Sequence, residues 1–206
     1  MTEPVLAWHW LRAHRRMQYG DLQFVEAGKT YTVEPPVELC IRGLHGSIRP
    51  IDTLEFAPGP IICRVEMSGE IIHGKDKLAA TSRRVLWMED ASETLDHFAC
   101  DVAEEALLRE REKGREPDPR SWKTIEIKRL HIAGKATDEE LSAAWSAARS
   151  AAWSAAKLAA ESAAKLAAWS AARSAAESAA WSAARDAQNE RLERMLLALA
   201  PKEAVK

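Results

Sequence analysis

The stretch SAAWSAARSAAWSAAKLAAESAAKLAAWSAARSAAESAAWSAAR, Ser142 to Arg185, is one four-residue word, Ser-Ala-Ala-X, repeated eleven times without a slip. Ala fills both middle places every time, and Leu158 and Leu166 are the only replacements for the opening Ser. The fourth place holds Trp145, Trp153, Trp169 and Trp181, and between them Arg149, Lys157, Glu161, Lys165, Arg173, Glu177 and Arg185. Each residue is set by its place in a period, which speaks of architecture before chemistry. Ala is the best helix former, and neither Gly nor Pro interrupts Thr137 to Ala200, so the sequence predicts a helix from Asp138 to Leu199. Unbroken, it would run roughly 90 Å at about 1.5 Å per residue. Thr137-Asp-Glu-Glu140 has the form of a capping box at its start, and Pro201 marks its stop.

A period of four matches no straight helix face. Four residues turn about 400°, so the X column advances about 40° per word and winds right-handedly. A repeat longer than 3.6 residues favours right-handed supercoiling. Neighbouring X residues are i and i+4, which lets Glu161 pair with Lys165 and sets Arg149 and Arg173 beside Trp. Ala and Ser allow close approach of backbones, and four Trp are a large apolar area to leave wet. The expectation is a self-associating helix and a homo-oligomer, with Trp145, Trp153, Trp169, Trp181, Leu158 and Leu166 in the contact. A solvated spacer helix is the competing reading. The X column is charged at seven of its eleven places, so no apolar run long enough to span a membrane exists in it. Past the repeat, Leu192, Met195, Leu196 and Leu199 form an apolar stripe that reads as a docking surface for the domain or for a second subunit.

Upstream, the first ~90 residues read as β-rich. Val5–Trp10 opens apolar and aromatic; Leu22–Val25 and Thr30–Val33 are short extended pieces; Pro35-Pro36 ends that stretch. Val37–Ile41 is an apolar run closed by a turn at Gly43–Ser47, and Pro50–Phe56 has the form of a short helix with Pro in its first turn. Ile61–Met67 alternates as a half-buried strand should, and Ala79–Met88 is a further strand. Asp90-Ala-Ser-Glu93 then starts an amphipathic helix on Leu95, Phe98, Ala99, Val102, Ala106 and Leu107. Gly114 and Pro117–Pro119 make a linker, and Trp122–Ile132 a second short helix broken at Gly134. The predicted class is α+β: a small β-rich domain over 1–89, a helical neck over 90–134, and the Ala-rich helix over 138–199. Residues 1 to about 134 contain the expected core and should fold on their own.

The net charge of −2 is divided unevenly: the X column alone carries five positive and two negative residues, so the remainder is acidic. Neither half has the basic excess of a nucleic-acid binder. Cys40, Cys63 and Cys100 are an odd set without metal spacing, which with the absence of a signal peptide points to reduced thiols in a cytoplasm.

Gly28-Lys-Thr-Tyr31, Leu39-Cys40, Gly43-Leu-His45 and Val65-Glu-Met-Ser-Gly-Glu70 together resemble an uncharacterised domain of phages and bacteria. Its pattern joins GKTY, an LC..G(F/L)HA segment and an EVE.SGEI strand, spread here over about residues 5 to 87. Such domains commonly precede repeats, including Ala-rich Trp/Arg tetrads ending in a segment like Gln188–Leu196. The resemblance implies a phage or prophage setting, with a host or phage protein as partner and a place in the virion as an alternative to the cytoplasm. It implies no activity. At Gly46 this chain departs from the family's Ala.

The residue types capable of chemistry in this domain are Cys40, His45, Ser47, Glu66 and Glu70, with His9 and Tyr31. An aromatic first strand with His9, a Gly-rich segment with His45 and Ser47, and a strand carrying Glu66 resemble the order in ADP-ribosyltransferases, where a His positions NAD and a Glu polarises the ribose. No Ser-Thr-Ser motif accompanies them, and the Glu comes early. The plainer reading is that Gly43 and Gly46 serve the turn and His45 bonds within it. A Cys40–His45 nucleophile pair lacks a third, orienting residue. His97, Cys100 and Asp101 supply too few ligands for structural zinc, and Cys100 fits a core position. The expectation is a non-enzymatic interaction and assembly protein without a cofactor, an ADP-ribosyltransferase-like enzyme being the alternative.

Overall fold

The computed structural model describes residues 3–17, 23–163 and 170–202, with side chains throughout these except over 151–181. The described chain divides into two compact units. The first joins Met1–Thr94 to Asp186–Lys206; the second is Leu95–Arg185.

The first unit is built on one long hairpin, β4 (Ile61–His73) and β5 (Leu78–Asp90), turning through Gly74–Lys77. On its free sides lie β1 (Val5–Leu11), antiparallel to β4, and β2 (Thr30–Thr32) and β3 (Leu44–Gly46), both antiparallel to β5. Directly after β3, Ser47 exchanges both backbone bonds with Trp8 of β1, at 2.8 and 3.0 Å. The pairings therefore run β1–β4–β5–β3 and back to β1, and the sheet curls into a small barrel.

Two irregularities in the hairpin supply the curvature, at Arg64/Val65 and at Ser68/Ile71. At the second, Gly69 and Glu70 oppose Thr81 alone. Gly69 has φ +83°, and a Cβ there would lie 2.1 Å from the Thr81 hydroxyl, which itself accepts the Glu70 N–H at 3.0 Å. Gly69→Ala is therefore expected to lower unfolding free energy by about 1–3 kcal/mol, read by urea denaturation, since both the backbone strain and the lost hydroxyl bond oppose the side chain.

Alternation sorts the strands into two faces. Inside the curl are Ala7, Leu11, Tyr31, Cys63, Val65, Met67, Val85 and Met88, joined by Val25, Leu44 and Leu78 in one buried cluster. The outer face of β1 and β4 is also buried: Trp8, Trp10 and Ile62 are shielded, Trp8 packs edge-on to Trp87 with ring centroids 5.8 Å apart, and Arg64 lies 4.4 Å above the Trp8 ring. A short helix, α1 (Pro50–Thr53), continues as a 3-10 turn over Leu54–Phe56, and its Thr53 hydroxyl accepts the Trp10 indole N–H at 2.6 Å. The end of the chain completes this side. Asn189 accepts the Ile51 N–H at 3.2 Å, Asp186 pairs with Arg49 at 2.8 Å, and Leu192 and Leu196 are fully buried. The apolar stripe predicted beyond the repeat thus meets its own chain's first domain, and the core expected to end before residue 134 includes a segment from the far end of the sequence.

Val37–Ile41 does not extend. Glu38 and Arg42 exchange backbone bonds at 2.7 and 2.9 Å around Cys40, whose φ is +68°, so the turn falls at 38–42 and the strand at Leu44–Gly46, where a turn was expected. Of the apolar residues here, Val37 is buried beneath the loop and Ile41 is exposed.

In the second unit, α2 (Ser92–Glu112) begins in the first unit, where Asp90 accepts the Ser92 N–H at 2.8 Å. Next comes α3 (Pro119–Ile132), with Asp118 as N-cap and Pro119 in its first turn. The two are joined by Lys128–Asp96 at 2.7 Å and by Arg129, which forks to Asp101 at 3.1 Å and Glu104 at 2.7 Å. The helices α4 (Asp138–Ala163) and α5 (Ser170–Leu197) carry the repeat. The capping box is present in both arms: Thr137 N–H to Glu140 at 2.8 Å and Glu140 N–H to the Thr137 hydroxyl at 3.1 Å. Against α3, Thr124 donates to the Ala144 carbonyl at 3.0 Å, while Trp145 is 56 % exposed. The helix expected between Ala163 and Ser170, and the packing of Trp153, Leu158, Leu166, Trp169 and Trp181, lie outside the described residues and side chains.

Candidate functional site

Within the first unit, β1, the segment from Cys40 to Ser47, and the turn from Thr53 to Pro58 enclose a cleft of about 770 Å³. Volume and partial enclosure are of the size that holds a small molecule. His9, Cys40, His45 and Ser47 all line it, so the fold brings four of the candidate residues together. Glu66 is not among them. It pairs with Leu6 and Arg84, on the face of the sheet opposite Val65 and Met67. Glu70 and Tyr31 have structural work. Glu70 accepts the Val37 N–H at 3.2 Å, and the Tyr31 hydroxyl accepts the Glu26 N–H at 2.9 Å while donating to the Phe24 carbonyl at 3.2 Å.

His45 is spent on its own loop. One ring nitrogen, Nε2, accepts the backbone N–H of Cys40 at 3.1 Å, and the ring is also bonded to the Gly43 backbone. Burial, then Arg83 and Lys77, hold its pKa below the ordinary imidazole value against that Gly43 bond. Because the ring takes the backbone N–H of Cys40, no thiol-to-imidazole bond joins the pair. Lys77 lies near the Cys40 thiol, and its ammonium stands 4.0 Å from the Phe56 ring centroid. Ser47 is buried, and its backbone is the clasp that closes the barrel onto Trp8.

The group with most leverage on the cleft is Arg83, which the sequence reading passed over. Its strand position faces inward with Tyr31 and Met67, and only 3 % of it is exposed. Nη1 donates to the His45 carbonyl at 3.0 Å, and Nε has no partner. Burial lowers the guanidinium pKa to about 10, which leaves it charged near neutrality. Around it, burial pushes the Cys63 thiol up to about 12 in spite of the nearby cation. His9 lies well below the usual imidazole range, first by burial, then through Arg83 and His45.

This has a consequence for stability against pH. His9 binds a proton in the unfolded chain near its ordinary value of about 6.5 but not in the folded one, so stability falls as pH drops below that value. Lowering the pH from 7.5 to 5 is expected to shift the urea midpoint down in the wild type and less in His9→Gln. Equal losses in both would remove His9 as a cause.

Among the described residues, no group of three or more His, Cys, Asp or Glu is placed to hold a metal ion. Cys100 is buried and Asp101 is engaged by Arg129. All three cysteines are free. No helix among the described residues is long and apolar enough to cross a membrane. No curated protein and no solved structure matches the chain. Residues 11–97, from the last residue of β1 through the hairpin to the first turns of α2, match a family whose description reads "Domain of unknown function (DUF7666)", so this part of the chain is similar to an uncharacterised domain family.

Proposed function

We propose that the chain is a non-enzymatic interaction and assembly protein that self-associates through its tetrad-repeat helices, the partner being a second copy of itself. The observation that carries this is the orientation of the first repeat word. Its Ala144 meets α3, while Trp145 is left 56 % exposed. A large apolar ring kept outward at the head of a column of identical rings supports burial between chains. The uses of the cleft residues also support a binding role over a catalytic one: His45 braces a loop, Ser47 closes the barrel through its backbone, and Glu66 faces away from His9.

The motif resemblance supports a phage or prophage setting, and the free cysteines support a reducing compartment such as the cytoplasm. The test is the mass in solution by light scattering over a range of concentrations. An oligomer is expected, and a wild-type chain that stays monomeric at high micromolar concentration overturns the reading.

A further inference from the structure

Arg83 poses a problem that the folded chain alone leaves unsolved. Burying a guanidinium costs several kcal/mol unless an anion answers it. Among the described residues the hydrogen bond made by Arg83 runs from Nη1 to the neutral His45 carbonyl, Nε has no partner, and the acidic-type groups felt by the cation are the Cys63 thiol and the Tyr31 hydroxyl. The Cys63 thiol is held up at about 12 and is not an anion near neutral pH. Arg83 is itself part of the cleft wall, and a guanidinium is the side-chain group that grips an oxyanion with two parallel N–H bonds.

The cleft beside it is already cationic. Among the described residues that line it, Lys77 and Arg83 bring positive charge and Glu55 is the carboxylate, while His9 and His45 add N–H or lone-pair partners. Lys77 stands over the Phe56 ring at 4.0 Å, and Asp76 and Glu55 act on it from nearby. Two cations at one wall suit a doubly charged oxyanion better than a single carboxylate group. The space of about 770 Å³ far exceeds a bare ion and admits an organic body beside the wall formed by Phe56 and Leu44. We propose that this cleft binds a small phosphate-bearing metabolite, with the Arg83 guanidinium gripping the phosphate where it meets the cleft and Lys77 as the second cation. This goes beyond the assembly reading and does not depend on it.

The test uses the full chain, with mass measured on the same sample so that self-association and ligand binding succeed or fail separately. Calorimetry is run with inorganic phosphate and with glycerol 2-phosphate as an organic ester, against acetate and chloride at equal ionic strength. Saturable binding of the ester, tighter than that of inorganic phosphate and far tighter than that of acetate, is expected. Arg83→Gln should weaken it about 30-fold, as loss of charge-assisted bonds does. Lys77→Ala should weaken it about 5-fold, as loss of one partly screened charge does. If Arg83→Gln does not fold, Lys77→Ala and the His9 ring decide: bound ester should raise the His9 titration point followed by NMR in the wild type. Failure of both phosphates to bind, acetate binding as well as the ester, inorganic phosphate binding with the ester excluded, or ester affinity indifferent to these substitutions, overturns the proposal.

Discussion

A chain ended at residue 134 is expected to lose the stability of its sheet domain, although it retains every strand. The reason lies at α1. Its N-cap, Arg49, makes no side-chain capping bond, so the orphan N–H of Ile51 depends on Asn189, from 138 residues further on. Without that residue a buried donor is left unpaired, at a cost of about 1–3 kcal/mol. Leu192 and Leu196 are fully buried, and replacing either by Ala is expected to cost about 2–5 kcal/mol. The whole domain has only about 5–15 kcal/mol to lose. Leu192→Ala with Leu196→Ala should therefore bring the first unit near its unfolding midpoint in buffer, read by near-ultraviolet circular dichroism of the Trp8–Trp87 pair and by urea titration. Adding a peptide of residues 186–202 to the shortened chain should restore part of the lost stability in a concentration-dependent way. A shortened chain that unfolds cooperatively at the full chain's urea midpoint would show that the returning segment is dispensable.

The contrast between what the sequence announced and what it concealed follows one physical line. Local signals were legible because their partners are near in sequence. Thr137 and Glu140 satisfy each other within one turn, Pro50 opens a short helix, and the alternation from Ile61 to Met67 marks a strand whose continuation to His73 passes through the bulge at Gly69. The motif residues of the first domain also became intelligible as builders, since Tyr31 ties down Phe24 and Glu26 and Glu70 holds Val37. Non-local choices were not legible. The stripe at Leu192 and Leu196 was visible, but not which surface it would cover. Whether Val37–Ile41 or Leu44–Gly46 forms the strand depends on β5 being available at Leu78–Ala80 and on Cys40 accepting a left-handed turn. Arg83 had a signal that went unused: two residues before the core residue Val85, on the same face, stands a cation where an apolar side chain belongs. Glu66, by the same alternation, could have been assigned to the face away from Cys63.

The protein is expected to be an oligomer whose thermal midpoint rises with concentration, and replacing Trp145, Trp153, Trp169 and Trp181 together by Ala is expected to reduce it to monomers without loss of helicity. The magnitudes make this an all-or-none effect. A Trp buries about 150–250 Å², so four supply roughly the 800 Å² per partner that a stable interface needs. No other column of the repeat carries comparable apolar area, because its remaining places are Ala, Ser and charge apart from Leu158 and Leu166. Circular dichroism at 222 nm should hold while the mass falls, since Ala exceeds Trp in helix propensity. The geometry of association follows from the period. The Trp column advances about 40° per word and returns Trp181 to the direction of Trp145 after nine words, so a partner following it must wrap right-handedly. A parallel partner would set Arg149 beside its own copy, whereas an antiparallel or staggered one brings Glu161 and Glu177 toward Lys and Arg. Glu161→Lys with Glu177→Lys should then weaken association several-fold at low salt and little at high salt, as exposed charge pairs do. A monomeric wild type removes the assembly itself. An oligomer that survives loss of all four Trp assigns the contact to another surface, and one with a left-handed, heptad-like crossing shows that packing ignores the tetrad and follows the Ala positions instead.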